Sequence, residues 1–487
     1  MPATSFKSDV SFLEKLALGA AGTRATINRL KALGYEPVEL ERGSTGYKIW
    51  KKIKIKRIRV PDILCLKSGQ RFESRGKTKL EISMSHSQKD PHRAWDAGMR
   101  PDDRVAVVLC KQRADSPIDW EAVSPIHFIK IADMRDAAAK RHIQISKPKG
   151  VEEGSEIRMI WPCAHAHEPA VVTEINERNI KLQSEISGKI QRCSLLRKTV
   201  TLQPQCKVGE TAQTNQIVAS VVPVDLNPIR QGDVDEDLFI TQMQSASLSE
   251  RYAAAKALRF RGYEKAGLHL EARMLDQAED IYVQLEAAAA LAVYANPSGW
   301  AFLSDCLNSE YLTVQLETVI VLSEMASPQS EQLLIRVLMD ANRNSEVRAG
   351  AAWALGEFAT KHSAAALIDA FNFTNTEIKI EAARALLKIT PTQIEPIIAM
   401  MKAGAPAKRE GIAWALAKAG GFNPNDLLGN STDDNLRRWV GYILGFGKSR
   451  FLEAQIEELA RLDPEVHFAA SVLWQLLASW IYELKEY

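Results

Sequence analysis

Long apolar runs are missing from this chain of 487 residues. A helix needs about 18 or more apolar residues in a row to cross a bilayer, and none occurs, so no membrane partner is expected. The run AAAALAV around Ala290 is too short. No apolar segment follows the opening MPATSFKSDVSF, so no secretory leader is expected either. Cysteine is scarce and scattered: Cys65, Cys110, Cys163, Cys193, Cys206 and Cys306. That usage suits the reduced thiols of a cytoplasmic protein better than a disulfide framework. No glycine-rich phosphate loop of the Walker type is present, so nothing argues for ATP use, and no Ser–His–Asp arrangement can be assembled. Zinc is not expected. The segment CAHAH sets Cys163, His165 and His167 at alternate positions of one strand face, whereas zinc knuckles space their ligands through a turn.

The composition that remains is ordinary for globular protein, at 46% hydrophobic and 25% charged, and the length allows two to four domains. Charge is unevenly spread. Residues 1–150 carry 30 Lys and Arg against 17 Asp and Glu, while residues 151–487 carry 32 against 43. A basic front and an acidic back predict that the front meets a polyanion and the back does not.

The back repeats itself. Helix openings recur at Glu250, Val283, Val314, Val347, Ile378, Lys408, Leu436 and Val466, at spacings of 28 to 33 residues. Eight residues into each comes Leu258, Leu291, Leu322, Leu355, Leu386, Leu416 or Leu444, with Trp474 in the last copy. A second apolar-periodic run follows several openings. A fixed period with two helices per unit predicts a solenoid, because each helix pair must stack on its neighbours to bury its face. Residues 240–487 thus resemble short HEAT-type repeats, an all-α solenoid suited to binding a protein partner. Charges at the openings, such as Glu346 with Arg348, Glu377 with Lys379 and Asp434 with Arg437, are expected to serve helix starts and pairing between repeats.

Residues 151–235 read as short strands (SEIRMIWP, AVVTEIN, NIKLQSE, IVASVVPV), a small β-rich middle module of barrel or sandwich type. In the front, residues 1–137, a helix over SDVSFLEKLALGA and TRATINRLKALG precedes a strand meander and further α/β elements. One strand, from Lys48 to Arg59, has seven Lys and Arg in twelve residues. Lys48, Trp50, Lys52, Lys54, Lys56, Arg57 and Arg59 form a candidate nucleic-acid face: the cations follow a phosphate backbone and the aromatic stacks on a base. The same lysines would also protect an edge strand from aggregation.

Between Arg59 and Ser83 the sequence reads RVPDILCLKSGQRFESRGKTKLEIS. A Pro61–Asp62 pair ends an apolar strand, and a second strand carries Glu73, Arg75, Lys77, Lys79 and Glu81 at alternate positions. Cleaving a phosphodiester needs an activated water and a neutralised leaving oxygen, which metal-holding carboxylates and a nearby lysine supply. The layout resembles the PD-(D/E)xK nucleases, a restriction-endonuclease-like α/β fold. Pro61–Asp62 stands for the first motif and Glu73-Ser74-Arg75 for the acid-x-lysine motif. The resemblance implies a magnesium or manganese site at Asp62 and Glu73, and DNA in preference to RNA as partner. The sequence departs from it in placing Arg75 at the lysine position, and an arginine does not readily give up a proton. Lys77 or Lys79 would then take the lysine role, provided Gly76 does not break the strand. Further acids implied by the resemblance or lying near are Glu14, Glu41 and Glu81, the last in a second register, Glu81-Ile82-Ser83. Two other readings stand beside this one: a nuclease-like fold that binds without cutting, and a solvated strand whose charges pair across neighbours.

Overall fold

The computed structural model describes residues 9–41, 58–113, 119–146, 156–197, 200–261, 265–422, 425–428, 432–446, 461 and 463–468. The chain divides into two compact units, 1–283 and 284–487.

In the first unit, helix α1 (Asp9–Ala32) leads into β1 (Pro37–Glu39), β2 (Ile63–Cys65) and β3 (Arg71–Lys77). Then come β4 (Ile82–Ser87), a single 3-10 turn at Pro91–Arg93, β5 (Arg104–Gln112), β6 (Trp120–Lys130) and α2 (Ile131–Ala139). The main sheet has the order β1-β2-β3-β5-β6. The first three strands form an antiparallel meander, β5 runs parallel to β3, and β6 returns antiparallel to β5. A parallel step requires a crossover, and β4 with the 3-10 turn supplies it.

Both faces of this sheet are buried, as the near-continuous apolar run of β5 requires. Ala106, Val108 and Cys110 face the α1 side with Leu30, Tyr35, Phe72 and Phe128. Val105 and Val107 face the other way, into a core with Ile82, Met84, Trp95, Ile129, Met134 and Trp161. α1 lies directly on β3. A Cβ on Gly76 would sit 2.4 Å from the Leu18 carbonyl oxygen, and one on Gly22 would meet the Gly76 backbone at 3.0 Å. Only glycine permits that approach. Thr26 and Ser74 hydroxyls, 3.2 Å apart, join the same contact.

The second layer is a sheet of order β4-β8-β7, where β7 is Gln144–Ser146 and β8 is Glu156–Trp161. β8, which opens the segment read as a middle module, pairs along its length with β4, from Ile82 opposite Trp161 to Ser87 opposite Glu156. The remaining strands are β9 (Cys163–His165), β10 (Ala170–Ile175), β11 (Asn179–Ser184), β12 (Ile190–Ser194), β13 (Gln203–Pro204), β14 (Thr211–Ala212) and β15 (Ile217–Ser220). They form sheets of order β12-β11-β10-β14 and β13-β15-β9 around one core that includes Val172, Ile180, Leu182, Leu202 and Val218. Helices α3 (Glu236–Gln242), α4 (Leu248–Arg261) and α5 (Gly267–Leu275) complete the unit. The fully buried Arg71 ties α4 to the sheet. Its guanidinium binds Asp103 at 2.6 Å and donates to the Ser249 hydroxyl at 2.8 Å.

α6 (Ile281–Val293) spans the boundary between the units, and helices alternate from there: α7 (Pro297–Leu307), α8 (Leu312–Met325), α9 (Pro328–Met339), α10 (Ser345–Leu355), α11 (Lys361–Asp369), α12 (Thr376–Ile389), α13 (Ile394–Ala403), α14 (Pro406–Ala419), α15 (Asn425–Leu428) and α16 (Asp434–Phe446). The first helices of successive pairs, α8, α10, α12, α14 and α16, pack side by side. Leu291, Leu322, Leu355, Leu386, Leu416 and Leu444 are all buried, as is Leu258 of α4 in the first unit. Helix starts are capped in turn. Asn296, Ser327, Asn344, Thr360 and Asn375 each accept a backbone N–H of the following turn. Charges at the openings serve the stack: Arg348 Nε donates to the Leu338 carbonyl at 2.9 Å, and Arg437 pairs with Asp434 and reaches Asp463 of the next copy. Among the described residues no helix is long and apolar enough to cross a membrane.

Candidate active site

The strand β3 decides which of the sequence candidates meet. It is unbroken from Arg71 to Lys77, so Gly76 does not interrupt the alternation. Phe72, Ser74 and Gly76 point under α1, which leaves Arg71, Glu73, Arg75 and Lys77 on the opposite face. The charged series stops there. The pairing with β5 ends at Lys77 opposite Leu109, and the chain bends over residues 78–80 into β4. Lys79 is therefore off the strand and exposed, which corrects the reading of five charges on one strand edge. Glu81 lies before β4 and pairs with Arg158 of β8 at 2.5 Å, so the second register does not form one continuous strand with Glu73.

Asp62 immediately precedes β2, and residues 58–61 before it are not strand, so it does not close an earlier one. Pro61 has no N–H to give a ladder and is tolerated at such an entry. The Asp62 backbone carbonyl accepts from Leu40 N at 2.7 Å and Glu41 N at 3.2 Å, and its side chain accepts from Ser74 N at 2.7 Å. That last bond sets Asp62 beside Glu73. Both carboxyls are buried, at 6% and 7% exposure. Glu73 pairs with the guanidinium of Arg75, which itself reaches solvent.

The electrostatics follow from two acids in a desolvated pocket, with Glu41 adding negative charge and Arg75 and Arg59 opposing it. Burial, then Glu73 and Glu41, push the Asp62 carboxyl well above the usual range, against the pull of Arg75 and the Ser74 N–H. Glu73 is pushed up to about 6, first by burial and further by Glu41, with Arg75 and Arg59 opposing. Lys77 is brought down to about 8 by burial and by the charges of Arg75 and Arg158. It donates to the Ser83 carbonyl at 2.6 Å and to the Ser83 hydroxyl at 3.0 Å.

Asp62, Glu73 and Arg75 thus converge, with Glu41 close enough to act on them and Lys77 further along the same face. Glu14 lies in α1 and is not among the main charges acting on either buried acid. Arg59 is exposed, and its Nε donates to the His92 carbonyl at 3.1 Å. Lys48, Trp50, Lys52, Lys54, Lys56 and Arg57 lie outside the described residues. Among the described residues no group of three or more His, Cys, Asp or Glu side chains is placed to hold a metal ion. The rings of His165 and His167 stand 5.3 Å apart. Sequence reasoning missed Ser83 as an anchor and Arg158 altogether. Arg158 reaches the site from a strand more than seventy residues downstream of β4, and only the alternation of SEIRMIWP, with Ile157 and Met159 inward, hinted at its outward side chain.

The comparisons concern the helical region. The pattern of the HEAT repeat family matches residues 300–387 and 334–417. The C-terminal region carries HEAT repeats. No curated protein matches the chain in sequence. Among solved structures, the complex of CpcE and CpcF of phycocyanin lyase from Nostoc sp. PCC7120 is 18% identical, with a TM-score of 0.25, over 50% of this chain and 96% of that one. Human deoxyhypusine hydroxylase in complex with glycerol is also 18% identical, with a TM-score of 0.23, over 43% of this chain and 88% of that one. At these TM-scores neither likeness carries a functional argument.

Proposed function

We propose that the front of the first unit is a nuclease-like, nucleic-acid-binding module of PD-(D/E)xK type, and that the HEAT repeats recruit a protein partner to it. One observation carries this reading: Asp62, at the entry to β2, and Glu73, on β3, meet as two buried carboxyls whose pKa values are both raised. Ionising such a pair is unfavourable, the nearby guanidinium charge does not fully offset it, and a cation would lower that cost. Magnesium is commonly bound by one or two carboxylates, with water and substrate phosphate completing its shell. The donor set fits that pattern, and manganese has the same preference for oxygen. When bound, the ion would activate water and stabilise charge on the cleaved phosphate.

The chain's own residues divide the remaining work. Arg75 orients Glu73 and presents its exposed edge to a phosphate. Lys77 is the lysine that stays on the face of the acids. The sheet order β1-β2-β3-β5, with β5 parallel to β3 and α1 across one face, agrees with the restriction-endonuclease-like arrangement. The basic front, and DNA in preference to RNA, fit a role in DNA maintenance or defence in the cytoplasm. That role rests on analogy of fold.

A second reading has its own observation. Arg75 pairs with Glu73, which lowers the affinity of that carboxylate for a cation. On this reading the module docks on nucleic acid without cutting, and the protein is a scaffold. Purified full-length protein, assayed with plasmid, linear duplex, single-stranded DNA and RNA, with and without magnesium or manganese, separates the two. Metal-dependent cleavage supports the nuclease; binding without cleavage under any metal supports the scaffold.

A further inference from the structure

Ser83 accepts hydrogen bonds from two cations at once. Lys77 Nζ reaches its hydroxyl at 3.0 Å and Arg158 Nε reaches it at 3.2 Å, while Lys77 also holds the Ser83 carbonyl at 2.6 Å. The three side chains come from β3, β4 and β8. Arg158 stands opposite Ser85 in the β4–β8 ladder, so its side chain shares a face with the Ser83 diagonal neighbour. Ser83 is buried and Lys77 half-buried, but Arg158 is about half exposed, at 47%, so the cluster has a fixed base and an open mouth. Glu81 pairs with Arg158 at 2.5 Å. Lys77 and Arg158 therefore face one another across one hydroxyl, and the one paired carboxylate, Glu81, sits on Arg158. Holding two like charges together is unfavourable unless an anion joins them. The Lys77 pKa is lowered first by burial, then by the charges of Arg75 and Arg158.

We propose that Lys77 and Arg158, anchored by Ser83, form a phosphate-binding subsite beside the acid pair, which takes a backbone phosphodiester of the bound nucleic acid. The proposal rests on the nucleic-acid reading of the front module. Lys77 lies four residues from Glu73, about 13 Å along the strand. That distance is about four nucleotides at roughly 3.4 Å rise per strand step. The phosphate held here is thus a different one from that at the acids, further along the same strand, and the subsite fixes the path of the strand across β3 and β4. Arg158, with Nε on Ser83 and Nη2 on Glu81, turns its remaining N–H donors to a phosphate oxygen, and Lys77 supplies a point charge. Ser83 is a positioning residue that touches the cations.

The test uses the full chain in EDTA. Duplex DNA binding is titrated over a salt series for wild type, Lys77→Gln, Arg158→Gln and Glu81→Gln, and inorganic pyrophosphate is tested for thermal protection of each. Far-UV circular dichroism melts confirm folding. Each cation variant is expected to bind several-fold more weakly on any sequence and to reduce the log–log salt slope by about one. Glu81→Gln is expected to bind more tightly, an effect that structural damage would not produce. Pyrophosphate protection should fall in both cation variants. If wild type and all variants bind DNA with one affinity and one slope, the subsite is overturned while the nucleic-acid reading stands. If wild type binds no DNA but pyrophosphate protection is lost in the cation variants, the anion site stands and the nucleic-acid reading is overturned. Neither ligand binding to wild type overturns both.

Discussion

Glu73 shows how burial and charge set the chemistry of a single residue. Removing its carboxyl from water raises its pKa to about 6, and Arg75 recovers only part of the cost. A carboxyl raised in the folded state from the ordinary 4.5 binds more protons than in the unfolded chain between those values. Stability from that protonation is full below pH 4.5 and is lost as pH rises through about 6. The metal-free wild type is therefore expected to lose about 1–2 kcal/mol relative to Glu73→Gln between pH 4.5 and 7.5, at 1.36 kcal/mol per pKa unit. Parallel denaturant titrations at the two pH values measure it; a constant difference between the proteins would show that the carboxyl is not desolvated. Arg75→Lys addresses the unusual motif. If Arg75 occupies the catalytic position, the lysine should raise cleavage. If Lys77 carries that role, Arg75→Lys should leave the rate within a few-fold while Lys77→Ala lowers it by orders of magnitude in single-turnover assays.

Among the elements, β3 and α1 carry the greatest constraint, because their backbones touch through Gly22 and Gly76. Gly76→Ala would drive a Cβ into the Leu18 carbonyl, and overpacking of this kind costs about 1–3 kcal/mol or more. It should lower the melting transition of the first unit, and an unchanged transition would mean that α1 does not lie on β3 as described. The helices of the second unit are set by a repeated leucine instead. Leu355→Ala leaves a cavity between stacked pairs and should cost about 2–5 kcal/mol, read from denaturant unfolding of the full chain. This difference in constraint explains what was legible in the sequence. Leu291 to Leu444 recur at a fixed period, and one period repeated over many helices reports both the element and its burial. The acid pair was legible as Pro61–Asp62 and Glu73-x-Arg75, since spacing within a hairpin is local. Lys79 was misread because alternation does not announce where a strand ends; the loss of the β5 partner after Lys77 decides that. Arg158 was missed because pairing of β4 with β8 is long-range and leaves no mark on either segment alone.

Across the whole molecule, charge is segregated. The front is basic, while residues 237–487 carry 23 Lys and Arg against 31 Asp and Glu, a poor surface for phosphate. Reversing Lys52, Lys54 and Lys56 to Glu in the full chain should weaken DNA binding on all sequences alike and flatten its salt dependence. Unchanged binding would move the nucleic-acid contact elsewhere. The central claim, that Asp62 and Glu73 form a metal-dependent phosphodiesterase centre, is tested most directly by one comparison. Wild type, Asp62→Asn and Glu73→Gln are incubated with supercoiled plasmid in magnesium, in manganese and in EDTA, with DNA binding followed in the same samples. The account predicts nicking or linearisation by wild type in a divalent metal alone, and its loss in both variants with DNA binding retained, because the substitutions remove metal ligands and leave the phosphate contacts. Wild type that binds DNA but cleaves nothing in either metal, or variants that cleave as well as wild type, would contradict it.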